Sequence, residues 1–227
     1  MDWQWDEFHQ IGTDYESVGE VANYDRRMRE LRDVDAENRA IVAALHLPSE
    51  ATVMEIGTGT GAFARTVASD CRRVIAIDIS PVMLAYAAQR ADEEGHRNIE
   101  FRRDGFLSFS VAPASLDAVV TALALHHLPD LWKAVALRRI FSALKPGGIL
   151  VLHDVVFDWH NSEPEEYFNR QIAAVDNSSR TPFIRHIAQE YSTLSWIMTG
   201  LLERAGFVIA DDITPNGFLH FYHCRKP

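Results

Sequence analysis

The stretch that most constrains this chain is Val53-Met54-Glu55-Ile56-Gly57-Thr58-Gly59-Thr60-Gly61, an apolar run carrying one acid that passes into alternating glycines. Gly57, Gly59 and Gly61 lack a Cβ, so the backbone there can take φ > 0 and a ligand can come against bare peptide groups. A helix starting near Gly61 would aim its unpaired first N–H groups at the same spot. The pattern reads as strand, cofactor loop and helix. A tight strand-to-helix turn without a ligand reads the same way in isolation, so the rest of the chain decides.

Downstream, strands and helices alternate: Thr52 to Ile56, Ala62 to Ser69, Val74 to Ile77, Val82 to about Glu94, Ile99 to Phe101, Leu116 to Thr121, Pro129 or Asp130 to Leu144, and Ile149 to Val156. Ser80 suits an N-cap, Pro81 suits a first helical position, and Gly95 suits a stop. Near-continuous apolar strands such as Ile149-Leu150-Val151-Leu152 belong in a parallel sheet covered on both faces, which makes the fold α/β and doubly wound. About 50 residues after Val156 break the pattern and read as a helical insertion over about 157–191, before a last helix at about Ser192 to Arg204. Asn216-Gly217, between apolar runs from Phe207 and Phe218, signals a hairpin whose final strand is antiparallel. Ahead of the sheet, Met28, Leu31, Val34, Ile41, Val42 and Leu45 make a helical stripe from Tyr24 to about Leu45. Residues 1–48 are therefore read as an N-terminal lid and helix, and residues 49–227 as the main domain.

The chain has 227 residues, 47% of them hydrophobic, enough for one sizeable core. Its 22 basic and 32 acidic residues give a formal charge of −10, which disfavours a nucleic-acid backbone or an anionic membrane as partner. Arg26, Arg27, Arg29 and Arg32 alternate with Asp25, Glu30, Asp33 and Asp35, as on a solvated helix face. The acidic start and the lack of a long apolar run predict a cytoplasmic protein. Cys71 and Cys224 are read as reduced thiols. None of the ten histidines pairs as HxxxH, and no metal site is expected.

In a doubly wound sheet, ligands bind beyond the carboxyl ends of the strands. Asp78, 21 residues after Gly57, ends the second strand, where a carboxylate can accept ribose hydroxyls. Asp104-Gly105-Phe106 ends the third and Thr121-Ala122-Leu123 the fourth. Asp78 as a helix cap and Asp104 as a turn starter are the plainer alternatives. A nicotinamide enzyme would share Gly57, Gly59 and Asp78, but its fingerprint is GxGxxG, whereas Gly61 here comes one place early.

At Glu55-Ile56-Gly57-Thr58-Gly59-Thr60-Gly61, Ile77-Asp78-Ile79-Ser80, Arg103-Asp104-Gly105-Phe106, Leu125-His126-His127-Leu128-Pro129-Asp130 and Leu144-Lys145-Pro146-Gly147-Gly148 the sequence closely resembles the class I S-adenosylmethionine-dependent methyltransferases, over roughly Asp25 to Phe221. The resemblance implies a Rossmann-like seven-stranded sheet, mostly parallel, and a small-molecule acceptor. S-adenosylmethionine would be the methyl donor and S-adenosylhomocysteine the product. It further implies that Glu55, Gly57, Thr58, Gly59 and Gly61 form the loop under the methionine portion and that Asp78 holds the ribose. Ile79 and Met83 would flank the adenine, Asp104 with the Gly105 and Phe106 backbone would read its amino edge, and Thr121 and Ala122 would border the methionine tail. Leu123 stands where several amine methyltransferases have a polar residue.

Methyl transfer needs a base only if the acceptor must lose a proton. The candidates are His126, His127, His153, Asp154, His186 and Glu190. His127 stands first, because some related methyltransferases place a histidine after the fourth strand beside an amino-terminal tyrosine, here Tyr24 or Tyr15; local packing is the alternative. His153-Asp154 ends the fifth strand, so one of the two should face the acceptor. His186 to Thr193 is read as a substrate wall or, equally, as helix surface and cap. Trp3, Trp5, Phe8 and Tyr15 can close over a site or simply dock. A non-catalytic S-adenosylmethionine-binding protein and an NAD(P)-dependent oxidoreductase are the alternative functions; acceptor and oligomeric state stay open.

Overall fold

The computed structural model describes residues 3–9, 19, 21, 24–25, 28, 33–215 and 217–227. Tyr15, Asn216 and the arginines at 26, 27, 29 and 32 lie outside these. The predicted first helix is seen as α1, Val34–Leu45, opened by the Asp33 carboxylate accepting from the Ala36 amide. Then follow β1 (Thr52–Ile56), α2 (Ala62–Val67), β2 (Arg73–Asp78), α3 (Pro81–Glu93), β3 (Ile99–Arg103) and β4 (Leu116–Ala122). A short 3-10 turn at Leu125–His127 leads to α4 (Asp130–Ala143) and β5 (Leu144–Phe157). The insertion holds α5 (Pro164–Ala174) and α6 (Asn177–Gln189); β6 (Thr193–Leu194), α7 (Ser195–Ala205), β7 (Val208–Ile213) and β8 (Leu219–Arg225) complete the chain.

The sheet runs β3-β2-β1-β4-β5-β8-β7, the expected seven strands, with a two-residue β6 added alongside β5 as an eighth. The extra strand is only Thr193 and Leu194 laid parallel to Val156 and Phe157, and that pairing delays the last helix to Ser195. β1 to β5 are parallel, and β8 is antiparallel to both β5 and β7. The Lys145-Pro146-Gly147-Gly148 segment is a bulge inside β5: Leu144 already pairs with Leu116 before Ile149 pairs with Ala118.

Strand alternation divides the core into two layers. Val53, Val74, Ala76, Ala118 and Val120 pack with Leu45, Phe63 and Val67 from α1 and α2. Met54, Ile56, Ile75, Ile77, Val119 and Leu152 pack on the other face with Leu137, Ile140, Met198 and Leu202 from α4 and α7. This is why the strands read as unbroken apolar runs. The order reverses between β1 and β4, so the loops leaving them diverge and open a crevice at their carboxyl ends. Among the described residues no helix is long and apolar enough to cross a membrane.

Candidate active site

The glycine loop is shaped by backbone demands. Gly57, Gly59 and Gly61 have φ of 76°, 53° and 74°. A Cβ on Gly57 would stand 2.5 Å from the Ala124 Cβ, whereas one on Gly59 would meet nothing within 4 Å. Gly57 is thus required by the close approach of the β4 loop, and Gly59 presents bare backbone to open space. The Ile77 carbonyl accepts from both the Gly57 and Thr58 amides, at 2.9 Å each. The Asp78 carboxylate accepts from Gly59 N at 2.8 Å and Ser80 N at 2.9 Å. Burial raises its pKa, and these amide donors work against that rise.

These residues border a cleft of about 880 Å³, counting its solvent-open part. Gly57, Gly59, Asp78, Ile79, Met83, Asp104, Gly105, Phe106 and Ala122 line it together with His127 and Tyr24. Leu123, Ala124 and Leu128 add an apolar wall. Leu123 takes a left-handed φ of 54° and packs against a cluster that includes Phe157, Tyr167, Phe183 and Phe218 from β5, the insertion and the terminal hairpin. A bulky residue in that conformation is strained by on the order of 1–3 kcal/mol and is held by its surroundings.

Behind His127 lies a chain of buried polar groups. His126 Nδ1 meets Asp154 Oδ1 at 2.5 Å, and the His126 amide donates to Asp154 Oδ2 at 2.9 Å. His126 Nε2 is 3.1 Å from Glu190 Oε2, which His186 Nδ1 reaches at 2.5 Å; His186 Nε2 is 2.6 Å from Ser192 Oγ. Tyr191 N donates to the His126 carbonyl at 2.9 Å, and the buried Lys133 ammonium donates to Asp130 and the Tyr191 carbonyl. Burial pulls the His126 pKa down, but Asp154 and Glu190 overcome it and hold the ring at about 9. His127, with its ring centroid 4.3 Å from that of His126, is driven the other way: burial, then the His126 charge, push it down to about 3. A neutral imidazole therefore faces the cleft beside a cationic one.

Residues 53–148 match the family model described as a methyltransferase domain. An uncharacterized methyltransferase of Bacillus mycoides is 28% identical over 176 residues, covering 78% of each chain. By these matches the chain is similar to methyltransferases. Among solved structures, a chain from the complex between the Haloferax volcanii Trm112 methyltransferase activator and a methyltransferase shares the fold at TM-score 0.70 and 16% identity, over 96% of this chain and 100% of that one. The Haemonchus contortus phosphoethanolamine N-methyltransferase 2, in complex with S-adenosyl-L-methionine, does so at TM-score 0.65 and 20% identity, over 85% of this chain and 52% of that one. A cleft floored by bare glycine backbone and flanked by Asp78, Ile79 and Met83 suits a ligand with an apolar ring, hydroxyls and an amino-acid end.

Several residues expected at the methyltransferase's cleft stand elsewhere. Glu55 accepts from Thr58 Oγ1 at 2.5 Å and Ala64 N at 3.1 Å, so Glu55 and Thr58 brace the loop from beneath. Burial pushes the Glu55 pKa up to about 8 despite those bonds. Gly61 caps α2, where an added Cβ would stand 2.9 Å from the Ala87 Cβ of α3. Thr121 is 1% exposed and does not line the cleft, because neighbours on a strand face opposite ways and Ala122 takes the cleft side. The same alternation corrects His153, which is buried with its ring stacked on Phe221 at 3.6 Å; Asp154 holds the His126 ring and the His126 and Val155 amides, and neither residue lines the cleft. His186 to Thr193 joins that chain instead of lining the cleft.

Two lining residues carried no sequence signal. Glu7 and His9 border the cleft, with the Glu7 carboxylate accepting from Leu107 N at 2.9 Å across 100 residues of sequence. A Cβ on Gly105 would fall 2.4 Å from Glu7 Oε2, so Gly105 makes room for it. Trp3 stacks on Trp132 and Trp5 meets Tyr191 edge-on, fixing the segment across the loop regions.

Proposed function

We propose that this methyltransferase methylates a small molecule held in the cleft beside the glycine loop, with residues 1–48 as N-terminal lid and helix and residues 49–227, including the 157–191 insertion, as the methyltransferase domain. One observation carries the reading: Gly57, Gly59, Asp78, Ile79, Met83, Asp104, Gly105, Phe106 and Ala122, nine of the thirteen expected cofactor residues, line one cleft with His127 and Tyr24, beside the apolar Leu123-Ala124-Leu128 side. When bound, S-adenosylmethionine supplies a methyl group already activated on a sulfonium and leaves as S-adenosylhomocysteine. Gly57 and Gly59 receive the methionine portion on bare backbone, and Ala122 borders it. Asp78 accepts from the ribose hydroxyls with the lone pairs its two amide donors leave open. Ile79 and Met83 flank the adenine, and Asp104 with the Gly105 and Phe106 backbone reads its amino edge.

His127 acts on the acceptor as a neutral imidazole. Near a sulfonium and the cationic His126 its protonated form is disfavoured twice, so it accepts a hydrogen bond and orients the nucleophile. Tyr24 lines the same cleft and completes the acceptor's polar contacts. Orientation in a water-poor cleft supplies most of the rate, with proximity worth about 7–11 kcal/mol in favourable cases. The small-molecule assignment also follows from the formal charge of −10, which offers nothing to a polyphosphate backbone. Incubating the enzyme with methyl-labelled S-adenosylmethionine and a metabolite extract should yield a labelled small product by mass spectrometry. Label found only on protein or nucleic acid would overturn the small-molecule assignment, and no transfer to any fraction would overturn the catalytic one.

A further inference from the structure

His126, His186 and Glu190 bring three donor atoms together from two segments about sixty residues apart, and these atoms all lie within 4.8 Å of one another. We propose that His126 Nε2, His186 Nδ1 and a Glu190 carboxylate oxygen bind a divalent transition-metal ion of the zinc class. Two imidazoles and one carboxylate, with a fourth position left for water or a ligand heteroatom, are a donor set that zinc accepts.

The outer shell is already in place. Asp154 Oδ1 sits 2.5 Å from His126 Nδ1 and Ser192 Oγ 2.6 Å from His186 Nε2, so each ring is turned with its other nitrogen toward Glu190. A carboxylate behind a ligating histidine fixes tautomer and orientation in metal sites. The backbone is fixed too: Asp154 also accepts from the His126 amide, and the Tyr191 amide donates to the His126 carbonyl. Glu190 Oε2 stands 3.1 Å from His126 Nε2 and 2.5 Å from His186 Nδ1. Ligand atoms around a tetrahedral zinc stand about 3.3 Å apart, so shifts of roughly 1 Å or less per group would form the site.

Charge is compatible with the same occupant. The Asp154 and Glu190 side chains are 1% and 8% exposed, and two buried carboxylates need two positive charges nearby. One divalent ion on neutral rings supplies them, as two ring protons otherwise would. His186 and Glu190 belong to the end of α6, while His126 precedes His127 in the β4 loop. An ion here would lock the insertion onto the segment that carries His127.

The test needs neither cofactor nor acceptor. Chelator-stripped protein titrated calorimetrically with zinc chloride should bind one ion per chain. Cobalt chloride should give the visible absorption of a tetrahedral nitrogen-oxygen site. His186→Ala and Glu190→Gln should each weaken zinc binding by more than about 100-fold, and Asp154→Asn by about 10- to 100-fold. His160→Ala, outside the cluster, should bind as wild type. X-ray absorption of the zinc-loaded wild type should count two imidazoles, which gives the ligand set even if a variant fails to fold. No binding by wild type, an imidazole-free spectrum, or unchanged affinity in folded His186→Ala and Glu190→Gln overturns the site.

Discussion

The two walls of the cleft are made of different material. The glycine-loop wall is local and largely backbone: Gly57, Gly59, Asp78, Asp104 and Gly105 sit at the ends of three successive strands and present amides, absent side chains and two short carboxylates. The wall behind His127 is side chain and long-range: His126, Asp154, Glu190, His186 and Ser192 form one hydrogen-bonded chain across three segments. A backbone wall is disturbed by adding atoms, and a side-chain wall by removing them. Damage to the first should appear as lost affinity, and damage to the second as lost stability or turnover.

The largest effect is expected from Asp154→Ala, which strands a buried imidazolium and an unpaired His126 amide. Breaking a buried pair costs about 3–5 kcal/mol, which for a chain of this size lowers the melting temperature by about 10 °C. Calorimetric melting checks it, and S-adenosylhomocysteine affinity at low temperature should stay within a few-fold of wild type. A comparable loss of affinity would show that the two walls are one cooperative unit. Gly57→Val adds a branched side chain at φ of 76° and 2.5 Å from Ala124. Strain and overpacking of about 3 kcal/mol or more should weaken S-adenosylhomocysteine binding about 100-fold by isothermal titration.

His127→Ala belongs to neither failure. It should lower kcat by about 10- to 100-fold, the value of one oriented hydrogen bond at the nucleophile, while cofactor affinity holds within about threefold. Because burial and His126 keep His127 near 3, the wild-type rate should show no inflection near pH 6.5 from this ring; such an inflection, abolished by the substitution, would reverse its assigned protonation state.

The smallest effect sharpens the account of the loop. Glu55 has its folded pKa raised to about 8 from 4.5, so its contribution to stability is full below pH 4.5 and lost as pH rises through 8. Its share of the slope is at most about 1.4 kcal/mol per pH unit within that window. Glu55→Gln should flatten the melting-temperature profile between pH 5 and 8. An unchanged slope would mean that another group carries the titration.

Legibility in the sequence followed the same division. The positions of β1, β2, α3 and β4 were readable because apolar runs, Ser80-Pro81 and the glycines act within a few residues. So was the full set of strand ends that line the cleft. What period-2 reasoning left open was which residue of each adjacent pair faces inward, Thr121 or Ala122, His153 or Asp154. That depends on register against neighbouring strands. The link from His126 to Glu190 spans 64 residues and follows no spacing rule.

By itself the sequence determined the kind of sheet, the place of its crevice and the glycine-loop wall of the cleft. Those rest on backbone geometry and on nearest neighbours along the chain. Tertiary structure decided the rest of the cleft's surroundings: that Asp154 rather than His153 holds His126, that Glu7 reaches Leu107, and that His127 is kept neutral beside a charged His126. Burial and distance set those properties, and both come into being only when segments far apart in sequence pack together.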